Sequence, residues 1–130
     1  MPELPEVETV VRGLTEQVLN REISDVKIHL KRMVSGSPTQ FKKILVGSVI
    51  THITRHGKYL FIHLNNAYSF VVHLRMTGQL FITPNERAKD PHTHLEFLLS
   101  DSESKIIYRD IRTFGRFTLI KTAEVDEYIA

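Results

Sequence analysis

The chain is expected to fold as an α+β protein, mainly β: a two-sheet β-sandwich with an N-terminal amphipathic helix and a short second helix. Two observations lead there. Val7, Val10, Val11, Leu14 and Val18 recur at helical spacing, which gives one apolar face. From residue 22 onward, short alternating or apolar runs are separated by turn residues, with no repeat, linker or low-complexity stretch between them. One helix followed by many short strands suits two packed sheets with helices at their ends. At 130 residues, 42% hydrophobic and 25% charged, the chain is expected to form one domain with a real core, and disorder is not expected.

Pro5 has a fixed φ and no N–H to lose, so it suits the first turn of the opening helix, which should end near Asn20. Glu22 to Lys31 alternates, with Val26, Ile28 and Leu30 facing one way, and reads as a half-buried strand. Ser35-Gly36-Ser37-Pro38 is a turn, and Pro38 starts a short helix carrying Phe41, Ile44 and Leu45 that Gly47 stops. Val49 to Arg55 is a strand turning at His56-Gly57. Lys58 to Leu64 and Ala67 to Leu74 flank Asn65-Asn66 as a hairpin, apolar on nearly both faces. Gly78 to Thr83 is a short strand, and residues 84–92 are a polar loop. Leu95, Phe97 and Leu99 line one face of the next strand. Lys105 to Arg109 and Gly115 to Lys121 are the last two, before a helical start at Ala123 to Tyr128.

No apolar run approaches a membrane span, so no membrane partner is expected. Zero cysteine excludes disulfides and thiolate zinc sites and fits a cytoplasmic protein. A net charge of +2, spread along the chain, permits nucleic-acid binding without demanding it.

Four stretches carry chemistry. In Met1-Pro2-Glu3-Leu4-Pro5-Glu6-Val7-Glu8, removal of Met1 would leave Pro2 a free secondary amine, able to attack a sugar aldehyde carbon and form an iminium. Glu3 beside it can move protons, and Glu6 follows one helical turn later. The positive end of the helix dipole should lower the amine's pKa below roughly 7.7–8.0 and attract phosphate. If Met1 stays attached, the Pro2 nitrogen is an amide and unreactive. Lys58 stands at the mouth of a strand, as a site residue or as a merely solvated lysine. His73-Leu74-Arg75-Met76-Thr77-Gly78 follows a buried strand and ends in a glycine bend, with Met76 either functional or part of the core. Asp110-Ile111-Arg112-Thr113-Phe114-Gly115 is either a functional loop presenting the fixed fork of Arg112 donors or a tight turn with a capping Asp and a buried Phe. His92-Thr93-His94 sets two imidazoles on one face, but nothing completes a metal set, so no metal is expected here.

Together these segments resemble the formamidopyrimidine-DNA glycosylase and endonuclease VIII family of bacterial base-excision repair enzymes. The Arg112–Phe114 pair is similar to the formamidopyrimidine branch. The resemblance implies that Pro2, Glu3 and Lys58 are catalytic, with Lys58 touching phosphate and assisting strand cleavage. It implies that Glu6, His73 and His94 lie on the DNA side, the two histidines meeting the backbone. A base cannot be processed while stacked, and Met76 would enter the space left by the everted nucleotide. Arg112 would hydrogen-bond the unpartnered cytosine and Phe114 would wedge into the stack. Arg75 stands where the family more often has a small residue, usually glycine, and Thr113 replaces its second arginine.

The implied activity is excision of oxidised purines, such as 8-oxoguanine and formamidopyrimidines, from damaged double-stranded DNA, with strand cleavage at the abasic site, by a monomer. The resemblance spans residues 1–130 but only the family's N-terminal catalytic domain. The helix-two-turn-helix segment and the four-cysteine zinc finger are not in this chain, so zinc is expected only there. Weakened excision is expected of these 130 residues alone, since affinity depends steeply on the number of phosphates neutralised. A non-catalytic DNA-binding module is the alternative. A tautomerase-like use of Pro2 ranks last, because there the proline begins a strand.

Overall fold

The computed structural model describes residues 4–75, 77–100 and 103–129, with side chains from residue 8 onward. Helix α1 spans Leu4–Val18; β1 Ile23–Ile28, β2 Val34–Ser35 and α2 Pro38–Leu45 follow. Then come β3 Ile50–His56, β4 Tyr59–Leu64, β5 Tyr68–His73 and β6 Gly78–Pro84. The chain closes with β7 Thr93–Leu99, β8 Ser104–Asp110, β9 Arg116–Lys121 and α3 Val125–Ile129. Two sheets result: four strands in the order β1-β7-β8-β6, and five in the order β2-β9-β5-β4-β3. The β2–β9 pair is parallel and every other pair between these strands is antiparallel.

The expected sandwich with two helices is what forms, and the helices have a definite job. α1 packs on β3 and β6, the edge strands of the two sheets on one side. α2 packs on β1 and β2, the edges on the other side. Unpaired edges invite further pairing, so each helix closes an open flank of the sandwich. The apolar stripe of α1 serves this directly: Leu14 and Val18 are fully buried, and Val10 and Val11 pack against the core. Asn20 then takes a left-handed backbone (φ 65), which asparagine tolerates at a helix end, and its N–H bonds Ile50 O at 2.8 Å. In α2 the Ser37 hydroxyl accepts from the Gln40 N–H at 3.1 Å, Pro38 takes the first turn, and Gly47 (φ 88) ends the element.

Between the layers lies an aromatic centre. Phe70 of one sheet stacks on Phe97 of the other at 5.5 Å, Phe41 from α2 meets Phe70 edge-on at 5.7 Å, and Tyr108 meets Phe117 at 4.9 Å. No helix among the described residues is long and apolar enough to cross a membrane.

The strand expected over Glu22 to Lys31 is shorter than the alternation suggested. Its pairing with β7 shifts register between Ile23 and Asp25, then runs to Ile28, where the strand stops and the His29 and Leu30 N–H groups both turn to His94 O. Lys31–Met33 instead forms a 3-10 turn that drops Met33 into the core and feeds β2, an element with no local signal.

On the outer face of the five-stranded sheet, buried His63 sits 2.8 Å from the Thr54 hydroxyl and 2.8 Å from that of Ser69, which continues to Thr122. Burial first, then the His52 ring stacked 4.2 Å away, pushes its pKa down to about 4 from 6.5. The unfolded chain takes up a proton near 6.5 and the folded one resists until about 4. The stabilisation is therefore complete above the first value and lost as pH falls toward the second, at about 1.4 kcal/mol per unit. The melting temperature should drop across this interval, and His63→Gln should flatten the drop. An unchanged slope in the variant would place the effect on another group.

Candidate functional site

Antiparallel pairing gathers several chain reversals at one end of the sandwich. In the five-stranded sheet His56 pairs with Tyr59, Tyr59 with His73 and His73 with Arg116. In the four-stranded sheet Gly78 pairs with Asp110 at the matching end. Residues 74–77 and 111–115 are the two crossovers there, each carrying the chain from one sheet to the other. The first half of α1 reaches the same end, where Arg55 Nε bonds Glu8 Oε2 at 2.6 Å and Arg55 Nη1 bonds the Gly57 carbonyl at 3.0 Å.

Asp110 holds this end together. Its carboxylate is buried, and four donors converge on it. The Thr77 hydroxyl and the Arg112 N–H donate to Oδ1, the latter at 3.1 Å. The Tyr108 hydroxyl donates to Oδ2 at 2.7 Å and the Gly115 N–H at 2.9 Å. Burial alone would raise the carboxyl's pKa, but the bonds from Thr77, Gly115, Tyr108 and Arg112 outweigh it and hold the group below its ordinary value. Tyr108 moves the other way, raised by burial and then by the Asp110 carboxylate, and so stays a donor. The glycines answer crowding here. A Cβ on Gly115 would lie 1.7 Å from Tyr108 Oη, and one on Gly78 would lie 2.4 Å from Leu74 O and 2.8 Å from the same hydroxyl. Gly78 does not have positive φ, so the expected glycine bend is instead a close approach.

Each crossover also holds one residue in the left-handed region: Arg75 at φ 60 and Thr113 at φ 57. Such a backbone costs a non-glycine residue roughly 1–2 kcal/mol. That accounts for the suitability of glycine at position 75. Thr113 is held by its own hydroxyl, which donates to the Arg112 carbonyl at 2.6 Å and accepts from Arg32 Nη2 at 2.8 Å.

The residues expected to act fall into three groups. Pro2, Glu3 and Met76 lie outside the described residues, and so does the side chain of Glu6. Lys58, His73, Arg112 and Phe114 come to this one end. His73 is half-buried, with a pKa lowered by burial and then by the charges of Arg75 and Lys58, so it is neutral at pH 7. Its Nδ1 is buried with no partner among the described residues. Arg112 is exposed, and Phe114 is 52% exposed, so the reading of that loop as a turn with a buried Phe is set aside. His94 departs from expectation. Its ring is 6% exposed and its Nε2 donates to the Asp110 carbonyl at 2.7 Å, so it is built into the scaffold and does not face a phosphate.

Sequence reasoning missed Arg116, Tyr59 and Tyr128, which with His73 and Arg75 line a polar cavity of about 190 Å³. The signal was present only as a basic residue after Gly115; its place beside His73 comes from the β5–β9 register. Cations at this end therefore include Lys58, Arg75, Arg112 and Arg116, while Glu8 and Asp110 are engaged internally. Among the described residues no group of three His, Cys, Asp or Glu could hold a metal ion. The arrangement suits a phosphate-bearing ligand with an exposed aromatic ring set against it.

Residues 1–117 match the family model described as the formamidopyrimidine-DNA glycosylase N-terminal domain. The chain is 40% identical over 122 residues to the formamidopyrimidine-DNA glycosylase of Ligilactobacillus salivarius, covering 94% of this chain and 44% of that one. It is 42% identical over 127 residues to the formamidopyrimidine-DNA glycosylase of Moorella thermoacetica, covering 97% and 46%. It thus spans about half the length of the curated relatives it matches. A crystal structure of the Lactococcus lactis protein with DNA containing FAPY-dG is similar at a TM-score of 0.92 and 36% identity, over 97% of this chain and 47% of that one. Another, with DNA containing an abasic site, gives 0.93 and 35%, over 98% and 47%.

The crowding at Tyr108 sets a test of this end. Gly115→Ala must displace the Tyr108 hydroxyl or the second crossover, and overpacking of this kind costs on the order of 1–3 kcal/mol. Urea denaturation should show a lower midpoint by that amount. A midpoint equal to that of the parent chain would mean the hydroxyl has room to move.

Proposed function

Because the chain belongs to the formamidopyrimidine-DNA glycosylase family, through that family's N-terminal domain, we propose that it serves base-excision repair, removing oxidised purines from damaged duplex DNA and cleaving the strand at the abasic site. The observation that supports this most is Phe114: a large apolar ring, 52% exposed, held on a short crossover beside Arg112 and among the cations of one end. With Ile111, also exposed on the same crossover, it makes an apolar patch rimmed by cations, which marks a place of contact. A gap in a base stack would take such a ring.

In this reading Pro2 supplies the nucleophile. Its neutral nitrogen attacks C1′ of the flipped nucleotide, the bond from C1′ to the base breaks, and the base leaves with a proton. The nitrogen then loses its proton, and as its regained lone pair forms the iminium the C1′–O4′ bond breaks, its electron pair going to O4′. Glu3 carries the proton that opens the sugar and later takes part in elimination. Lys58 and His73 hold backbone phosphates near the reacting sugar, with Glu6 on the same side. His73, neutral in the free protein, donates one N–H or gains a proton when phosphate arrives. Met76 fills the space of the everted nucleotide, Arg112 offers its donors to the base left unpaired, and Phe114 wedges beside it. His94 has no part in this reading. Formamidopyrimidine and 8-oxoguanine are the proposed lesions, the cytoplasm of a bacterium the proposed setting, and a monomer the acting form. No cofactor is assigned to residues 1–130. Zinc belongs to the C-terminal region that the resembling family carries.

Incubation with a duplex bearing 8-oxoguanine opposite cytosine, in the presence of borohydride, tests the chemistry. A covalent protein–DNA adduct is expected, together with its disappearance when the N-terminal amine is acetylated. Persistent trapping by the acetylated chain would reject Pro2 as the nucleophile. Salt-sensitive binding with no adduct from an unblocked chain would instead favour a DNA-binding module without catalysis.

A further inference from the structure

The two crossovers that meet the proposed DNA face are tied by their side chains. On the first, the Thr77 hydroxyl donates to Asp110 Oδ1 and also lies 3.3 Å from the Arg112 N–H. On the second, the Arg112 and Gly115 amides donate to opposite oxygens of the same carboxylate. The Tyr108 hydroxyl, lodged where Gly78 at the start of β6 and Gly115 on the second crossover leave it room, fixes the rotation of that carboxylate. Asp110 is anchored in turn by its backbone, with its N–H bonded to His92 O at 3.0 Å and its carbonyl accepting from His94. His94, misplaced by the alternation of its strand, thereby gains a physical role as a brace.

We infer that Asp110 is a positioning residue that ties Thr77, at the end of the β5–β6 crossover, to the 111–115 crossover as one rigid body, so that Arg112 and Phe114 meet a duplex from a segment braced by the neighbouring crossover. The inference rests on the proposed function for its ligand, a duplex with one nucleotide displaced, but the coupling itself belongs to the free protein. A carboxylate is required because all four partners are donors, and an amide could satisfy only the half that meets its oxygen. Loss of the Thr77 hydroxyl should therefore loosen a crossover that Thr77 is not part of. It should do so through Asp110, while the aromatic centre between Phe70 and Phe97 keeps its packing.

Amide hydrogen exchange on the full 130-residue chain reads this directly. Gly115 is the reporter, since its bond runs to Asp110 Oδ2, the oxygen Thr77 does not use. Thr77→Val and Asp110→Asn should each speed exchange at Gly115 by about tenfold, as expected when a hydrogen bond of ordinary net strength is lost. Thr77→Ser, which keeps the hydroxyl, should restore the parent rate. Amides of β5 and β7 serve as the internal check that each variant is folded. Exchange at Gly115 unchanged in Thr77→Val with β5 and β7 intact would overturn the coupling. So would equal acceleration in Thr77→Ser.

A second arm uses 2-aminopurine placed opposite an abasic-site analogue. The parent chain should raise its fluorescence by unstacking it, and Thr77→Val and Arg112→Ala should each reduce the rise. The double variant should be no worse than Arg112→Ala alone, whereas additive losses would show two independent effects. If the parent chain leaves the fluorophore unchanged, the DNA reading fails, while exchange at Gly115 still decides whether the crossovers act as one body.

Discussion

A buried carboxylate receiving four hydrogen bonds is the constraint on which the working end of this molecule depends. Asp110 is an anion 1% exposed, and taking such a group out of water is tolerable only because Thr77, Tyr108, Arg112 and Gly115 replace the lost solvent. The consequences spread outward from it. Two glycines are required where the Tyr108 ring ends, and two non-glycine residues are held in left-handed backbone on the crossovers the carboxylate ties down. Arg112 and Phe114 are exposed on a segment whose amides are pinned. A ring that projects from a pinned loop loses less freedom on entering a base stack than one on a mobile loop, so less of its binding energy is spent on ordering.

The sandwich explains why this happens at one end only. Helices α1 and α2 close the two flanks, one over the edges β3 and β6 and the other over β1 and β2. The remaining ends are where strands reverse or cross between sheets. At one end the Asn65–Asn66 hairpin keeps the chain within a sheet, with Asn66 Oδ1 accepting from the Tyr68 N–H in the turn and Asn65 Oδ1 from the Val49 N–H before β3. At the other, both β5–β6 and β8–β9 cross between layers, and β3, β4 and the first half of α1 arrive beside them. Cations and the exposed ring collect there because short crossovers lie on the surface while their strands are fixed by the core.

Local chemistry was legible in the sequence and long-range pairing was not. The Ser37-Pro38 start and Gly47 stop of α2, the apolar stripe of α1 and the Asn65-Asn66 turn all act within a few residues, and all appear where spacing placed them. β2 escaped because its strand partner among the described residues, β9, lies more than eighty residues away. β1 ended early because the chain leaves the ladder after Ile28: the His29 and Leu30 N–H groups both turn to His94 O, and Lys31–Met33 coils into the 3-10 turn. A register shift between Thr93 and Leu95 against β8 accompanies the inward placement of His94. Asp110 could be read as a turn-capping residue from its neighbours Arg112 and Gly115, and it does cap them. Its tie to Thr77, thirty-three residues upstream, is visible only once β6 and β8 are paired. Arg116 likewise joins the site through its register with His73.

Under the proposed function, this crossover end, and no other face of the sandwich, meets damaged DNA. Titration of isotopically labelled chain with a short duplex containing an abasic-site analogue, followed by amide chemical shifts, tests it most directly and tolerates weak binding. Shifts concentrated at residues 56–59, 73–78 and 110–116, with the Asn65–Asn66 hairpin unmoved, are the expected result. Shifts centred on the hairpin or the outer sheet faces, or none at all at millimolar duplex, would contradict the claim.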